Sequence, residues 1–237
     1  MAFAAAKHGL RAVIVAPRGN SPEKNAAIQA LKAELIERGR DFQEAYEDAV
    51  RIAGAESLHM VPSFDATLVS GVATYGLELF RGGQEFDAVY VPIGLGSGIC
   101  GVIAIRNALG LKTQVIGVCA AGAPAYARSF AAGRPISTET AETIADGMAC
   151  RTPLADAVSI INQNAARVVT VSDGEIRLAM QAFFADTHNA AEGAGAAAFA
   201  ALLCERDEMR GRRVALILTG GNVDRDVFAR VLADHQR

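Results

Sequence analysis

Residues 92–101 read PIGLGSGICG, with four glycines in ten positions. An apolar run, FDAVYV (86–91), precedes them and a second run, VIAIRNALG (102–110), follows. The first has the β-branched and aromatic content of a strand, the second the spacing of a helix. A glycine-rich turn between a strand and a helix start lets backbone N–H groups converge on an anion, and the helix dipole adds to the attraction. Any phosphate-bearing ligand suits that arrangement. A turn that holds nothing suits it too, because glycine is common punctuation between elements.

Two phosphate motifs can be weighed at once. Residues 96–101 satisfy G-x-G-x-x-G after a strand. A dinucleotide fold then calls for an acidic residue roughly 20 positions on, at the end of the next strand. That next run, TQVIGVCAAGA (113–123), contains no Asp or Glu, which argues against NAD. No Gly-Lys-Ser/Thr follows the glycines, so the turn is not a P-loop either.

Outward from the turn, strands and helices alternate. RAVIVAP (11–17) predicts a strand, and Ser21 with Pro22 predicts the start of a helix through EKNAAIQALKAEL (23–35). DFQEAYEDAVRIAG (41–54) opens with Asp41 and Glu44 at capping-box spacing. Its apolar residues at 42, 45, 46, 49, 50 and 53 share one helix face, and Gly54 predicts the stop. Further strands are expected at 88–93, 113–118, 167–171 and 213–219. Helices are expected at 67–81, 99–109, 154–165, 173–187, 192–208 and 223–235, with Ser172 and Glu175 forming a second capping box. Strands this apolar, alternating with helices, predict an α/β fold around a largely parallel sheet. AFAAAKHG (2–9) reads as the last turns of a helix ending at Gly9, with nothing upstream to cap it, so the chain is expected to lack its natural beginning.

Composition narrows the class. The chain has 237 residues, 51% hydrophobic and 21% charged, enough for one or two domains with a sizeable core. Net charge is -3 with no basic stripe, so nucleic acid is not an expected partner. No apolar run is long enough to cross a membrane, and MAFAAAKHG lacks a signal-peptide pattern. Cys100, Cys119, Cys150 and Cys204 form no C-x-x-C pair, as expected of reduced thiols in a cytoplasmic protein. His8, His59, His188 and His235 are expected in solvated or structural roles.

VALILTGGNVD (214–224) is a second apolar run ending in glycines. Two glycine-rich turns at the carboxyl ends of parallel strands can flank one ligand. With this piece the chain resembles the pyridoxal-phosphate-dependent serine/threonine dehydratases of the tryptophan-synthase-β-like group, fold type II. The matching stretches come in the family's order: VIVAPRGNSPEKNAAIQALKAELI (13–36), FDATLVSGVATYGLEL (64–79), VPIGLGSGICGVIAI (91–105), QVIGVCA (114–120), TIADGMAC (143–150), AEGAGAAAFAAL (191–202) and LTGGNVD (218–224). The resemblance implies a larger, parallel-sheet cofactor domain at 66–237 and the remainder of a smaller α/β domain at 1–65.

It also implies roles. Gly94, Leu95, Gly96, Ser97 and Gly98 match the loop that holds the cofactor phosphate. Thr219 matches the Ser or Cys that faces the pyridine nitrogen; capping of the next helix by its hydroxyl is the alternative. A neutral hydroxyl does not keep that nitrogen protonated as a carboxylate would, which favours β-elimination over transamination. Glu192 matches a glutamate near the ring, although an acid at a helix start is ordinary. Where some relatives bind a divalent cation, Cys119 and Ala125 offer no hard oxygen ligand, so no metal is expected.

The family's Schiff-base lysine, in a Ser-Phe-Lys-type motif, and its substrate-gripping Ser-Gly-Asn-His-type loop have no counterpart here. Lys24 and Lys32 are placed on an exposed amphipathic helix, Lys7 at a helix end and Lys112 before a strand. No catalytic residue is therefore assigned. The expectation is an amino-terminally truncated dehydratase with negligible activity, exposed apolar surface and poor solubility. The parent reaction implied is dehydration and deamination of L-threonine, L-serine or a related β-hydroxy amino acid to a 2-oxo acid and ammonia, by a homodimer or higher homo-oligomer when full length. A non-catalytic pyridoxal-phosphate-binding protein and an amino-acid racemase are the alternatives.

Overall fold

A computed structural model describes residues 1–234; His235, the last residue expected for the 223–235 helix, lies outside them. The described chain forms two compact units, Met1–Pro62 with Asn222–Ala233, and Ser63–Gly221 with Asp234.

In the first unit the order is α1 (Ala2–Lys7), β1 (Val13–Ala16), α2 (Pro22–Ala30), β2 (Glu34–Glu37) and α3 (Phe42–Ala55). β1 and β2 pair in parallel, Val13 opposite Glu34 through Ala16 opposite Glu37. Local caps set the helix starts. Ser21 Oγ accepts from the Lys24 amide at 3.1 Å, and an Asp41 carboxylate oxygen accepts from the Glu44 amide at 2.9 Å. α1 ends as expected at Gly9, left-handed at φ 64, with the Leu10 amide returning to Ala5 O.

Two sequence expectations fail here. The helix expected through residue 35 stops at Ala30, because Lys32 turns left-handed (φ 61) and its amide closes on Gln29 O at 2.8 Å. Lys32 is thus in a turn, and ELIE (34–37) becomes a strand. Nor does Gly54 stop α3, which runs one residue further; Ser57 makes the left-handed turn at φ 53. On the apolar face of α3, Phe42 and Val50 are 40% and 45% exposed.

The second unit holds α4 (Ala66–Arg81), β3 (Ala88–Pro92), α5 (Ser97–Ala108), β4 (Gln114–Ala120), α6 (Ala125–Ala132), α7 (Ala155–Asn164), β5 (Arg167–Val171), α8 (Asp173–Thr187), α9 (Gly193–Cys204) and β6 (Val214–Leu216). The four strands are parallel in the order β5-β4-β3-β6. β3 is buried along its whole length and β4 along all but its first residue. The α8 capping box is complete: the Ser172 amide donates to Glu175 Oε2 at 2.6 Å and the Glu175 amide to Ser172 Oγ at 3.3 Å. β6 is shorter than the 213–219 expected; the Ile217 amide still reaches Tyr90 O, and then the chain turns away. α9 ends at Cys204 rather than 208. α6 had no sequence signal, since Pro124 stands at its N-cap with no side-chain bond.

The first residue of β5, Arg167, brackets Glu205, which follows α9, at 3.0 and 2.6 Å, and the buried Tyr90 hydroxyl of β3 also donates to Glu205. This triad ties α9 to the sheet. The last helix, α10 (Arg225–Ala233), groups with the first unit. Ser21 donates to Asp224, and the Arg225 amide to Glu23 Oε1 at 3.0 Å. Among the described residues no helix is long and apolar enough to cross a membrane.

Candidate functional site

β3 and β6 are neighbours and parallel, so the turns that follow them leave the same end of the sheet. After β3, Gly96 is left-handed (φ 96) and serves as N-cap of α5. A Cβ at Gly96 would lie 2.9 Å from the Ala157 Cβ, so both space and backbone angle require glycine. Leu95 does not share the left-handed conformation, and its side chain packs on the core. The amides of residues 94–99 donate to no protein acceptor among the described residues. Six consecutive donors at a helix start can receive an anion, and the dipole of the 12-residue α5 has its positive end there.

Two phenols grip this turn from behind. Tyr126 of α6 donates to Leu95 O at 2.8 Å and accepts the Leu154 amide at 3.2 Å. Tyr75 of α4 donates to Gly98 O at 2.9 Å. Burial pushes the Tyr75 hydroxyl up to about 12, and Tyr126 higher still, so both keep the proton they donate.

A strap, residues 142–150, joins the two turns. Asp173 at the start of α8 holds it, accepting from Thr143 Oγ1 at 2.6 Å and from the Ile144 amide at 3.1 Å. Glycine stands at each close approach. A Cβ at Gly122 would meet Glu142 O at 1.8 Å, one at Gly193 the Ala145 Cα at 2.9 Å, and one at Gly94 the Gly147 carbonyl at 2.3 Å. Gly147 in turn faces Ala194 and Glu192. Glu192 is the N-cap residue of α9 but makes no side-chain cap bond; its carboxylate leans over Gly220, where a Cβ would lie 2.7 Å from Oε1. The Glu192 amide donates to Gly220 O at 3.1 Å. Close approaches therefore lead from Gly94 to Gly147, from Gly147 to the start of α9, and from Glu192 to Gly220.

Thr219 is exposed on the second turn, and α10 begins only at Arg225, too far on for Thr219 to cap it. The site region thus brings Gly94, Leu95, Gly96, Ser97, Gly98, Glu192 and Thr219 to one end of one sheet. Lys112, the lysine of this unit, precedes β4 at the opposite end. Burial raises Cys100 and Cys119 to about 12 and Cys150 to about 11, which keeps these thiols protonated and unreactive near neutrality. Cys204 is raised to about 11, by burial and then by Glu175. His188 ends α8 at φ 56 with its ring Nδ1 3.0 Å from Phe184 O, a structural position.

Gly147, Asp173, Tyr75 and Tyr126 had no role assigned from sequence. The first lies in TIADGMAC, where a glycine after an acid resembles any turn. Tyr75 sits among apolar helix residues, and the bonds of Asp173 and both phenols reach 23 to 31 positions along the chain.

A family model described as pyridoxal-phosphate dependent enzyme matches residues 1–220. The chain is 33% identical over 235 residues to an L-threonine ammonia-lyase of Thermotoga maritima, covering 98% of this chain and 58% of that protein. It is 36% identical over 234 residues to a phenylserine dehydratase of Ralstonia pickettii, covering 98% of this chain and 72% of that one. The chain thus spans little more than half the length of the first. Among solved structures, the T.th. threonine deaminase superposes with a TM-score of 0.86 at 31% identity, over 94% of this chain and 73% of that one.

Proposed function

Because the chain belongs to the pyridoxal-phosphate dependent enzymes, we propose that its second unit is the cofactor-binding part of a dehydratase acting on a β-hydroxy amino acid, threonine or serine in the first instance. The observation that carries the reading is the series of close approaches from Gly94 through Gly147 and the start of α9 to Gly220, which supports treating the two glycine turns as one site. The glycine turn fits the cofactor's phosphate: unpartnered amides line it, and a side chain at Gly94 or Gly96 would force it out of place against Gly147 or Ala157. Gly94, Leu95, Gly96, Ser97 and Gly98 would hold the phosphate, Thr219 would meet the ring nitrogen, and Glu192 would stand beside the ring. The division into a smaller domain at 1–65 and a larger one at 66–237 belongs to the same proposal, with α10 returning to the compact unit of the smaller domain.

When bound, pyridoxal phosphate supplies an electron sink for breaking bonds at an amino acid's α-carbon. The chain's own part is to bind and orient it. The backbone amides of 94–98 would hold the phosphate end, and a neutral Thr219 hydroxyl would offer the ring nitrogen no formal counter-charge. With the cofactor in place, that setting would favour loss of the β-hydroxyl over transamination. The names of the relatives, a threonine ammonia-lyase and a phenylserine dehydratase, agree in the β-hydroxy amino acid.

None of Lys7, Lys24, Lys32 and Lys112 matches the family's reactive lysine, so this chain alone binds the cofactor without turnover. Titration of the 237-residue chain with pyridoxal 5′-phosphate tests this. The expected results are saturable binding, nothing retained after borohydride reduction, and no 2-oxo acid from L-threonine or L-serine. Failure to bind would remove the site. A borohydride-trapped adduct or pyruvate from serine would overturn the assignment of the lysines.

A further inference from the structure

We infer that Tyr126 and Tyr75 are positioning residues that set the direction of the amide cradle, each by holding a carbonyl of the glycine turn on the side away from the ligand. The inference rests on the reading of residues 94–98 as the phosphate site. It adds two side chains that do not touch the phosphate but decide where the amides point.

In a trans peptide the C=O and the following N–H lie antiparallel, so fixing the oxygen fixes the hydrogen in the opposite direction. Tyr126 holds Leu95 O at 2.8 Å and thereby turns the Gly96 N–H outward. Tyr75 holds Gly98 O at 2.9 Å and does the same for the Ile99 N–H. The two phenols come from different helices, α6 and α4, and secure the two ends of one short turn.

Their leverage differs. Leu95 O accepts from no backbone amide among the described residues, so the Tyr126 hydroxyl is the donor that orients that peptide. Gly98 lies in the first turn of α5, where helix geometry already directs its carbonyl, and Tyr75 adds a second bond. Both phenols stand close against the turn: a Cβ at Gly96 would lie 3.5 Å from the Tyr126 hydroxyl, and one at Gly98 3.4 Å from that of Tyr75, each an ordinary van der Waals contact. A turn with a left-handed glycine at its centre has other low-energy arrangements. The phenols select the one in which successive amides converge, which lowers the ordering cost of binding.

Replacing each tyrosine by phenylalanine keeps the ring and removes the hydroxyl. Tyr75→Phe is expected to weaken pyridoxal 5′-phosphate binding about threefold and Tyr126→Phe about tenfold, the range of one or two lost hydrogen bonds. Both variants are expected to move the 31P chemical shift of the bound phosphate. Binding of pyridoxal, which lacks the phosphate, should stay unchanged. A merely structural role would lower the melting temperature and weaken both ligands alike. Variants that bind pyridoxal 5′-phosphate within twofold of the parent, with the same 31P shift, would overturn the inference. Should Tyr126→Phe fail to fold, because the Leu154 amide also loses its acceptor, Tyr75→Phe carries the test alone. If the parent chain itself binds neither pyridoxal 5′-phosphate nor inorganic phosphate, the site reading fails and this inference with it, an outcome distinct from variants that match a competent parent.

Discussion

The two units are built from the same strand-helix grammar but bury different material. At the centre of the second unit lie Val89, Tyr90, Val91, Ile99, Ile103, Ile116, Ile161 and Ile176, all with essentially no exposed surface. The buried hydrophobic residues of the first unit are Ala2, Ala16, Ala33, Ala45, Ala53 and Val231. Four parallel strands give the second sheet two interior strands, β4 and β3, whereas in a two-stranded sheet both strands are edges. The first unit therefore relies on local devices: the Ser21 and Asp41 caps and the left-handed turns at Gly9, Lys32 and Ser57. The second relies on long-range contact. A turn that must hold a phosphate in fixed geometry belongs on the second kind of support.

The sharpest break between them is expected at glycine. Gly94→Ala would place a methyl carbon 2.3 Å from Gly147 O, where backbone on both sides must move. The expected cost is about 3 kcal/mol or more, with cofactor binding lost. Gly19→Ala, in the first unit, meets nothing within 4 Å and bears only the strain of φ +80, about 1 kcal/mol. Chemical denaturation of the two variants makes the comparison, and equal midpoints would erase it.

A side-chain deletion sharpens the same point. Ile116→Ala in β4 removes a fully buried group between two neighbouring strands, at about 3 kcal/mol. Ile14→Ala in half-buried β1 should cost about 1 kcal/mol. If the first unit melts separately, the second variant should shift only the earlier transition in a calorimetric scan.

The contrast also explains what could be read in advance. AVYVP and QVIGVCA announced themselves because an interior parallel strand needs an unbroken apolar run. Caps announce themselves because they are local. The glycine turns at 94–98 and 219–221 were legible for a related reason: a left-handed angle or a backbone at van der Waals distance admits little else. ELIE was not legible as β2, since Glu, Leu and Ile continue the helical pattern of 23–33 and the stop is a lysine, not a glycine. Of the site, the strap was matched as TIADGMAC but given no role, and the phenols escaped notice. A tyrosine that donates to a carbonyl 31 residues away has the same local sequence as one that packs in a core.

The smallest effect expected in the second unit concerns its arginine cluster, set against that of the first, and it has a sign that can be worked out. Arg11 bonds Glu34 at 2.9 Å and Glu56 at 2.8 Å on the surface of the first unit. Exposed pairs of this kind are screened and contribute little, so Arg11→Met should leave the melt unchanged. Arg167 meets Glu205 where the carboxylate is mostly buried. Burial alone would raise the Glu205 pKa, but the hydrogen bonds from Arg167 and then Tyr90 outweigh it and hold it below the usual range. A depressed carboxyl contributes stability that is present above its unfolded pKa and is lost as pH falls through the lower, folded value. Arg167→Met removes the main lowering cause and leaves burial dominant, so the sign reverses. The variant should be less stable than the parent by about 2 kcal/mol near neutral pH, and the gap should narrow as the medium is acidified through the carboxylate range. A gap that stayed constant with pH would mean that Arg167 acts through packing of its stem, and that the charge on Glu205 is immaterial to how α9 is held.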